Sequence, residues 1–167
     1  MKDDVFDQKK FRDTLSQFAT GVTIITTLDA CNTPVGITAS SFNSVSMDPP
    51  LVLWSLAKNA LSLPVFQNAE YFNIHILGAD QEGLSECFAR PGTDKFSNVD
   101  FHSGRGGSPI LKNCAALMEC RNRHQYDGGD HIIFVGEVLS HDHNPTSPLL
   151  FHRGRYATAT NISVNTP

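Results

Sequence analysis

Hydroxyl side chains are concentrated in residues 35–50, which read VGITASSFNSVSMDPP. Thr38, Ser40 and Ser41 offer hydroxyl donors in a segment that also carries apolar residues, a combination that suits a ligand rich in hydrogen-bond acceptors. The closing Asp-Pro-Pro predicts a stiff corner, because proline fixes its own φ and restricts the residue before it. The alternative is a Ser/Thr-rich connecting loop that binds nothing.

A second polar cluster follows directly in the sequence. A flat heteroaromatic ligand with a phosphate tail needs an apolar platform, donors for its ring atoms, and a cation or a helix start for the phosphate. Trp54 offers an apolar platform and Ser55 a donor. Lys58 and Ser62 stand at the start of a predicted short helix. Lys58 would act as a point charge on the phosphate. The alternative for Lys58 is a solvated surface lysine.

Histidines mark two further places in the chain. His131 follows Gly128-Gly129-Asp130, so it can approach a ligand closely, and its charge can be tuned near neutral pH. The alternative is a turn histidine that faces water. His141 and His143 would share one face of a strand, as some metal ligands do, but a loop follows and no third ligand stands nearby, so no metal is predicted.

Composition limits the class of protein. The chain has 167 residues with 40% hydrophobic content, which predicts one domain over residues 1–167. A net charge of -4 without long runs of like charge argues against a nucleic-acid partner or a membrane-binding surface. The charged N-terminus and the lack of a long apolar window predict a cytoplasmic protein. Four cysteines without C-x-x-C or zinc spacing predict neither a disulfide framework nor a cysteine nucleophile.

The elements that must position these residues are read from periodicity and from turn signals. They alternate irregularly, without the βαβ repeat of a doubly wound sheet, and no G-x-G-x-x-G or Walker loop is present. We therefore expect a mainly β fold, a closed or split antiparallel barrel with peripheral helices. The predicted elements are a helix over 9–19 packed on the sheet, a hairpin of 22–28 and 35–41, a strand over 51–56, a short helix over 59–66, a strand over 71–77, a helix over 80–89, an irregular excursion over 90–109, a hairpin of 115–125 and 131–142, and a last strand from 149.

Several segments together resemble a known family. They are FATGVTIITT at 18–27, GITASSFNSVSMDPPLVLWSL at 36–56, the FNIHIL strand at 72–77 with Gln81, LSECFA at 84–89, Lys95-Phe96, the strand at 116–120, GDHIIFVGEV at 129–138 and PLLFHRGRY at 148–156. In this order they are similar to the short flavin reductases of the flavin reductase-like, FMN-binding split-barrel family. Members of that family are NAD(P)H-dependent partners of two-component flavin monooxygenases, and they are typically homodimers.

The resemblance implies a role for each matching residue. Flavin would be lined by the positions Thr38, Ala39, Ser40, Ser41, Trp54, Ser55, Ser62, Phe88 and Ala89, with Lys58 at a variable place beside them. His131 would hold the nicotinamide nucleotide, and Tyr156 would lie in a tail segment that closes over the same region. Hydride transfer needs the two cofactors in contact, so His131 is expected to position NADH rather than to move a proton.

The expected function is reduction of FMN or FAD by NADH or NADPH, with release of the reduced flavin to a separate oxygenase. Two alternatives remain at this stage. One is a non-catalytic flavin-binding carrier or sensor in which His131 is structural. The other is an oxidase or oxygenase on the same barrel that acts on a bound organic substrate.

Overall fold

The computed structural model describes residues 6–92 and 94–161, and these contain twelve strands and three α-helices. The strands are β1 (Thr20–Gly21), β2 (Thr23–Leu28), β3 (Pro34–Ala39), β4 (Asn43–Met47), β5 (Pro50–Ala57), β6 (Tyr71–Ile76), β7 (Phe101–Ser103), β8 (Pro109–Leu111), β9 (Ala116–Asp127), β10 (His131–His143), β11 (Leu149–His152) and β12 (Arg155–Thr158). The helices are α1 (Gln8–Leu15), α2 (Leu63–Asn68) and α3 (Glu82–Ala89). None of these helices is long and apolar enough to cross a membrane.

Seven strands form one antiparallel sheet in the order β3-β2-β6-β9-β10-β5-β4. The sheet curls until β3 contacts β5. Next to that contact, the Ser41 hydroxyl donates to the Ser55 carbonyl at 3.1 Å and accepts from the Ser55 amide at 2.9 Å. The result is a split antiparallel barrel, so the predicted fold class is confirmed.

Aromatic side chains fill the inside of the barrel. Trp54 has no exposed surface and stacks on Phe134 with ring centroids 4.6 Å apart. Phe66 and Phe72 meet the same indole edge-on at 5.0 Å and 5.7 Å. Such aromatic pairs add to the stability gained by burying the rings themselves. The strand prediction for residues 51–56 is confirmed, and its inward face belongs to the core.

Buried polar groups attach the segment before β9 to the main sheet. The Asn73 amide donates to the carbonyls of Ser108 and Pro109, each at 3.0 Å. His75 is fully buried: its Nδ1 lies 3.0 Å from the Ile24 carbonyl, and its Nε2 accepts the Leu111 amide at 3.0 Å. Burial lowers the pKa of His75 to about 4, so the ring is neutral, with Nδ1 donating.

Several element boundaries differ from the sequence prediction. The first helix stops at Leu15, and none of its residues is buried, so the expectation that it packs on the sheet was wrong. The short helix begins at Leu63 rather than at 59, because Ala57–Ala60 forms a turn first. Residues 90–109 are not wholly irregular, since β7 lies within them and pairs with β8. The tail forms two strands, β11 and β12, where one was predicted.

Candidate functional site

A cleft of about 550 Å³ opens between β3, the start of α2 and the end of α3. Its apolar walls include Val35, Ile37, Leu56 and Phe88. Leu61 stands at the same cleft with 88% of its surface exposed. Pockets of this size, mostly apolar with a few polar groups, are typical of small-molecule sites. This cleft is therefore the candidate ligand site.

Four of the predicted site residues line the cleft: Thr38, Ser62, Phe88 and Ala89. The Thr38 hydroxyl donates to the Ser85 carbonyl at 2.7 Å, so it offers a ligand acceptor capacity rather than its proton. The Ser62 side chain makes no capping hydrogen bond to α2. Its hydroxyl therefore remains available to a ligand.

Trp54, which was predicted to belong to a strand that lines the flavin, is fully buried and lies outside the lining of this cleft. Side chains alternate across a strand, and Val52, Trp54 and Leu56 share the buried face of β5. Only Leu56, the last of the three, reaches the cleft. The indole fills the barrel interior instead.

The neighbouring predicted residues also lie outside the cleft lining. Ala39 belongs to the same buried core as the indole, and Ser40 is exposed. Ser41 and Ser55 bond to each other across the barrel opening, so their polar groups hold the fold together. The hydroxyl-rich segment thus has a structural role at Ser41 and a cleft position at Thr38.

Lys58 is not brought to the cleft as a phosphate-binding cation. Its Nζ lies 2.6 Å from Asp127 Oδ2 at the far end of the β9–β10 hairpin, and its amide donates to the Asp130 carbonyl at 2.9 Å. Asp127 also accepts the amide of Gly129, whose φ of +85° suits glycine. The hydrogen bond from Lys58 lowers the pKa of the Asp127 carboxyl. Lys58 therefore fixes the hairpin tip.

His131 is the first residue of β10 and pairs with Ala57 of β5. Its Nδ1 lies 2.7 Å from Asp130 Oδ1, and its side chain is 43% exposed. The histidine lowers the pKa of the Asp130 carboxyl through this hydrogen bond. His131 is outside the cleft lining but beside it, because Ala57 directly follows Leu56. With Nδ1 held by the carboxylate, Nε2 is the ring atom that a ligand can reach.

Tyr156 lies outside the cleft lining and contacts α3. Its hydroxyl lies 2.9 Å from the Ser85 hydroxyl, and the Ser85 carbonyl accepts the bond from Thr38. The tail strand is thereby linked to the cleft residue Thr38 through Ser85 alone. His141 and His143, the pair considered for metal binding, lie on the exposed end of β10.

Charged residues at the cleft were not predicted to take part in the site. Asp29 accepts the amides of Cys31 and Thr33, each at 2.8 Å, and the Thr33 amide is the main cause of its lowered pKa. Arg90 and Lys95 supply positive charge. Lys95 was noted only as part of a motif. Its role could not be seen because its hydrogen-bond partners are distant along the chain.

These residues suit a flat ligand with an anionic tail. Apolar walls, free hydroxyl capacity and two cations form the donor set that such a ligand needs, and the volume is sufficient. The fold and cleft together define a split-barrel protein with a nucleotide-type binding cleft. Comparison with known proteins agrees with this class.

Residues 15–160 match the family model described as flavin reductase like domain, and the chain belongs to this family. It is 43% identical over 150 residues to the FMN reductase (NADH) SmoA of Agrobacterium fabrum, covering 90% of this chain and 85% of that protein. It is 42% identical over 158 residues to a probable flavin reductase of Rhizobium meliloti, covering 95% of this chain. The chain spans only 51% of that second relative's length.

The fold also matches a solved structure, the NADH:FAD oxidoreductase SgcE6 of Streptomyces globisporus in complex with NAD and FAD fragments. The TM-score is 0.88 at 34% identity, with 96% of this chain and 99% of that chain covered. Further relatives are named the reductase component or reductase subunit of a flavin-dependent monooxygenase.

Proposed function

We propose that this chain transfers hydride from NADH to FMN or FAD and supplies the reduced flavin to a separate oxygenase. The observation that carries the proposal is the cleft, whose apolar walls and cations fit a flavin, with an Asp-held histidine beside it. The names of the relatives support both the reaction and the oxygenase partner. We take residues 1–167 as one reductase domain.

The flavin occupies the cleft in this proposal. Val35, Ile37 and Leu56 offer apolar surface to the ring system, and Ser62 and Asn59 offer hydrogen bonds. Arg90 replaces Lys58 as the cation near an anionic tail. When bound, flavin supplies the hydride acceptor and the reduced nicotinamide supplies the donor.

The chain itself contributes positioning. Asp130 orients the His131 ring, and the amide of Lys58 ties the backbone of Asp130 to the end of β5. We assign His131 to hold the nicotinamide nucleotide by a hydrogen bond from Nε2. Hydride transfer requires no protein acid or base at this position, so His131 does not move a proton.

We also propose that the chain forms a homodimer. β4 is the outer strand of the main sheet, with one side unpaired, and it exposes Val45 at 49% and Met47 at 92%. Exposed apolar side chains on an open strand edge favour pairing with another chain. Sedimentation velocity tests this: the wild type sediments as a dimer, and Met47→Lys shifts it toward monomer. A monomeric wild type contradicts the assembly.

The cytoplasm is the proposed location. The four cysteines are free in the structure, which fits a reducing compartment, and the proposed donor is NADH.

A steady-state assay tests the reaction. The purified protein is mixed with NADH and either FMN or FAD, and loss of the nicotinamide absorbance is followed. We expect multiple turnovers with at least one flavin. Binding of flavin without NADH oxidation contradicts the proposal and favours the carrier or sensor alternative.

A further inference from the structure

Lys95 connects the two walls of the cleft. Its ammonium donates to the Phe88 carbonyl at 2.8 Å and to the Gly36 carbonyl at 3.1 Å. Phe88 lies in the last turn of α3, and Gly36 lies in β3, and both residues line the cleft. One side chain from the segment after α3 therefore bonds both sides of the candidate site.

Both carbonyls lack a regular backbone partner, which explains why a cation binds there. The last four carbonyls of an α-helix have no intrahelical donor, and positive charge is favourable at that end. β3 is the other outer strand of the main sheet, so carbonyls on its open side have no neighbouring strand. Lys95 satisfies one group of each kind.

The two walls touch directly beneath this lysine. A Cβ added at Gly36 would lie 2.5 Å from Cε1 of Phe88, so the phenyl ring packs on the bare backbone of β3. Phe96, which follows Lys95, meets the Phe88 ring edge-on at 4.9 Å. The spacing of the walls is thus set by Gly36, Phe88 and the Lys95-Phe96 pair.

The ammonium is partly withdrawn from water. Lys95 is half-buried, and this burial lowers its pKa. Hydrogen bonds from a charged donor are stronger than neutral ones, and more so where water is excluded. The connection between the walls is therefore stronger than that of an exposed lysine.

We propose that Lys95 is a positioning residue for flavin binding, holding β3 and the end of α3 at the spacing that the flavin requires. The inference rests on the proposed function only in taking flavin as the ligand of the cleft. Lys95 acts through Phe88, Ala89 and β3 rather than by touching the reacting atoms.

The test is the variant Lys95→Met, which keeps the length of the side chain and removes both hydrogen bonds. Flavin is added in steps, and its Kd is obtained from the change in the fluorescence of Trp54, the only tryptophan of the chain. We expect the flavin Kd to rise about tenfold, as for the loss of one charge-assisted hydrogen bond, with kcat at saturating flavin within about twofold of wild type. Amide hydrogen exchange should accelerate in residues 34–38 and 86–90.

Lys112→Met is the matched control. Lys112 follows β8, pairs with Asp100 at the surface at 3.2 Å, and is outside the cleft lining. It should leave both the flavin Kd and the exchange rates unchanged. Lys95→Arg keeps a charged donor and should recover part of the affinity, and it serves as the test variant if Lys95→Met does not fold.

Two results would overturn the proposal. One is an unchanged flavin Kd despite faster exchange in the walls, and the other is a raised Kd with unchanged exchange, which would make Lys95 a direct ligand contact. The titration needs no turnover. A chain that binds flavin but does not oxidise NADH would therefore contradict the proposed function. The role of Lys95 would still be decided by the titration and the exchange rates.

Discussion

The Nδ1 atom of His131 lies 2.7 Å from Oδ1 of Asp130, its neighbour in the chain. This contact fixes the imidazole at the start of β10, where the strand pairs with Ala57 beside the cleft. The Asp130 backbone is held in turn by the amide of Lys58. The histidine is thus oriented by two neighbours before any ligand binds.

Replacing His131 should separate the two substrates. In His131→Ala the hydrogen bond to the nicotinamide nucleotide is lost, so we expect the KM for NADH to rise roughly tenfold. The flavin Kd, measured by Trp54 fluorescence, should stay within about twofold because the cleft is untouched. Asp130→Asn keeps the ring but weakens its orientation, and its effect should be smaller. Equal losses for both substrates in His131→Ala would count against the assignment.

Lys58→Met should leave flavin affinity unchanged. Its ammonium pairs with Asp127 and lies outside the cleft lining, so it makes no phosphate contact in this account. The measurement compares the Kd of FMN with that of riboflavin, which lacks the phosphate. A loss of FMN affinity without a loss of riboflavin affinity would restore Lys58 as a phosphate ligand. Asp127→Asn tests the hairpin contact alone.

Much of the fold could be predicted from local patterns. The β2–β3 and β9–β10 hairpins follow from β-branched runs and from turn residues, which act over a few positions. The helix α1 was predicted, but its exposure could not be. Phe11 and Leu15 have the spacing of a helix that packs on a core. Whether an apolar face meets the core of its own chain is decided by tertiary structure.

The site was predicted less completely than the fold. Thr38 was identified because hydroxyls are unusual where a strand should carry core residues, and Ser62 because it stands near a predicted helix start that could hold phosphate. The place of the Trp54 indole in the core could not be predicted, because the alternation of β5 shows which residues share a face but not whether that face meets the core or a ligand. Lys95 and Asp29 reach the cleft only because the fold brings distant segments together. The spacing of residues in the sequence does not indicate such contacts.

Buried His75 predicts a loss of stability in mild acid. The unfolded chain takes up a proton near the ordinary pKa of 6.5, whereas the folded chain does so only near 4. The stability that the neutral ring contributes is therefore complete above pH 6.5 and is lost as the pH falls toward 4. The loss should be about 3 kcal/mol in the free energy of unfolding. Urea unfolding followed by Trp54 fluorescence measures it.

The carboxylates with lowered pKa affect stability in a separate, more acidic pH range. Hydrogen bonds lower the pKa of the Asp29, Asp127 and Asp130 carboxyls from the ordinary aspartate value, so the stability they contribute is present above that value and is lost only at more acidic pH. His143→Asn, a change at an exposed histidine, should leave the profile between pH 6.5 and 4 as it is. A flat profile in the wild type over this range would contradict the buried neutral ring.

Gly36→Ala should push the Phe88 ring away from β3 and so change the spacing of the two cleft walls. The added methyl would lie 2.5 Å from the Phe88 ring, so the ring must move, at a cost of about 1–3 kcal/mol in stability. Flavin affinity should fall with it. Gly21→Ala is the control, since a Cβ there meets no atom within 4 Å. Thermal melting and flavin titration compare the two variants. Equal behaviour of both would argue against close packing at Gly36.

The proposed reaction passes hydride from NADH to flavin on this chain. Anaerobic mixing of the protein with FMN or FAD and NADH tests it most directly, because without oxygen the reduced flavin persists. We expect the yellow flavin absorbance to bleach in step with NADH loss, one flavin reduced for each NADH consumed. We also expect slower bleaching in His131→Ala at low NADH. Protein-bound flavin that stays oxidised in the presence of excess NADH would rule out the proposed hydride transfer.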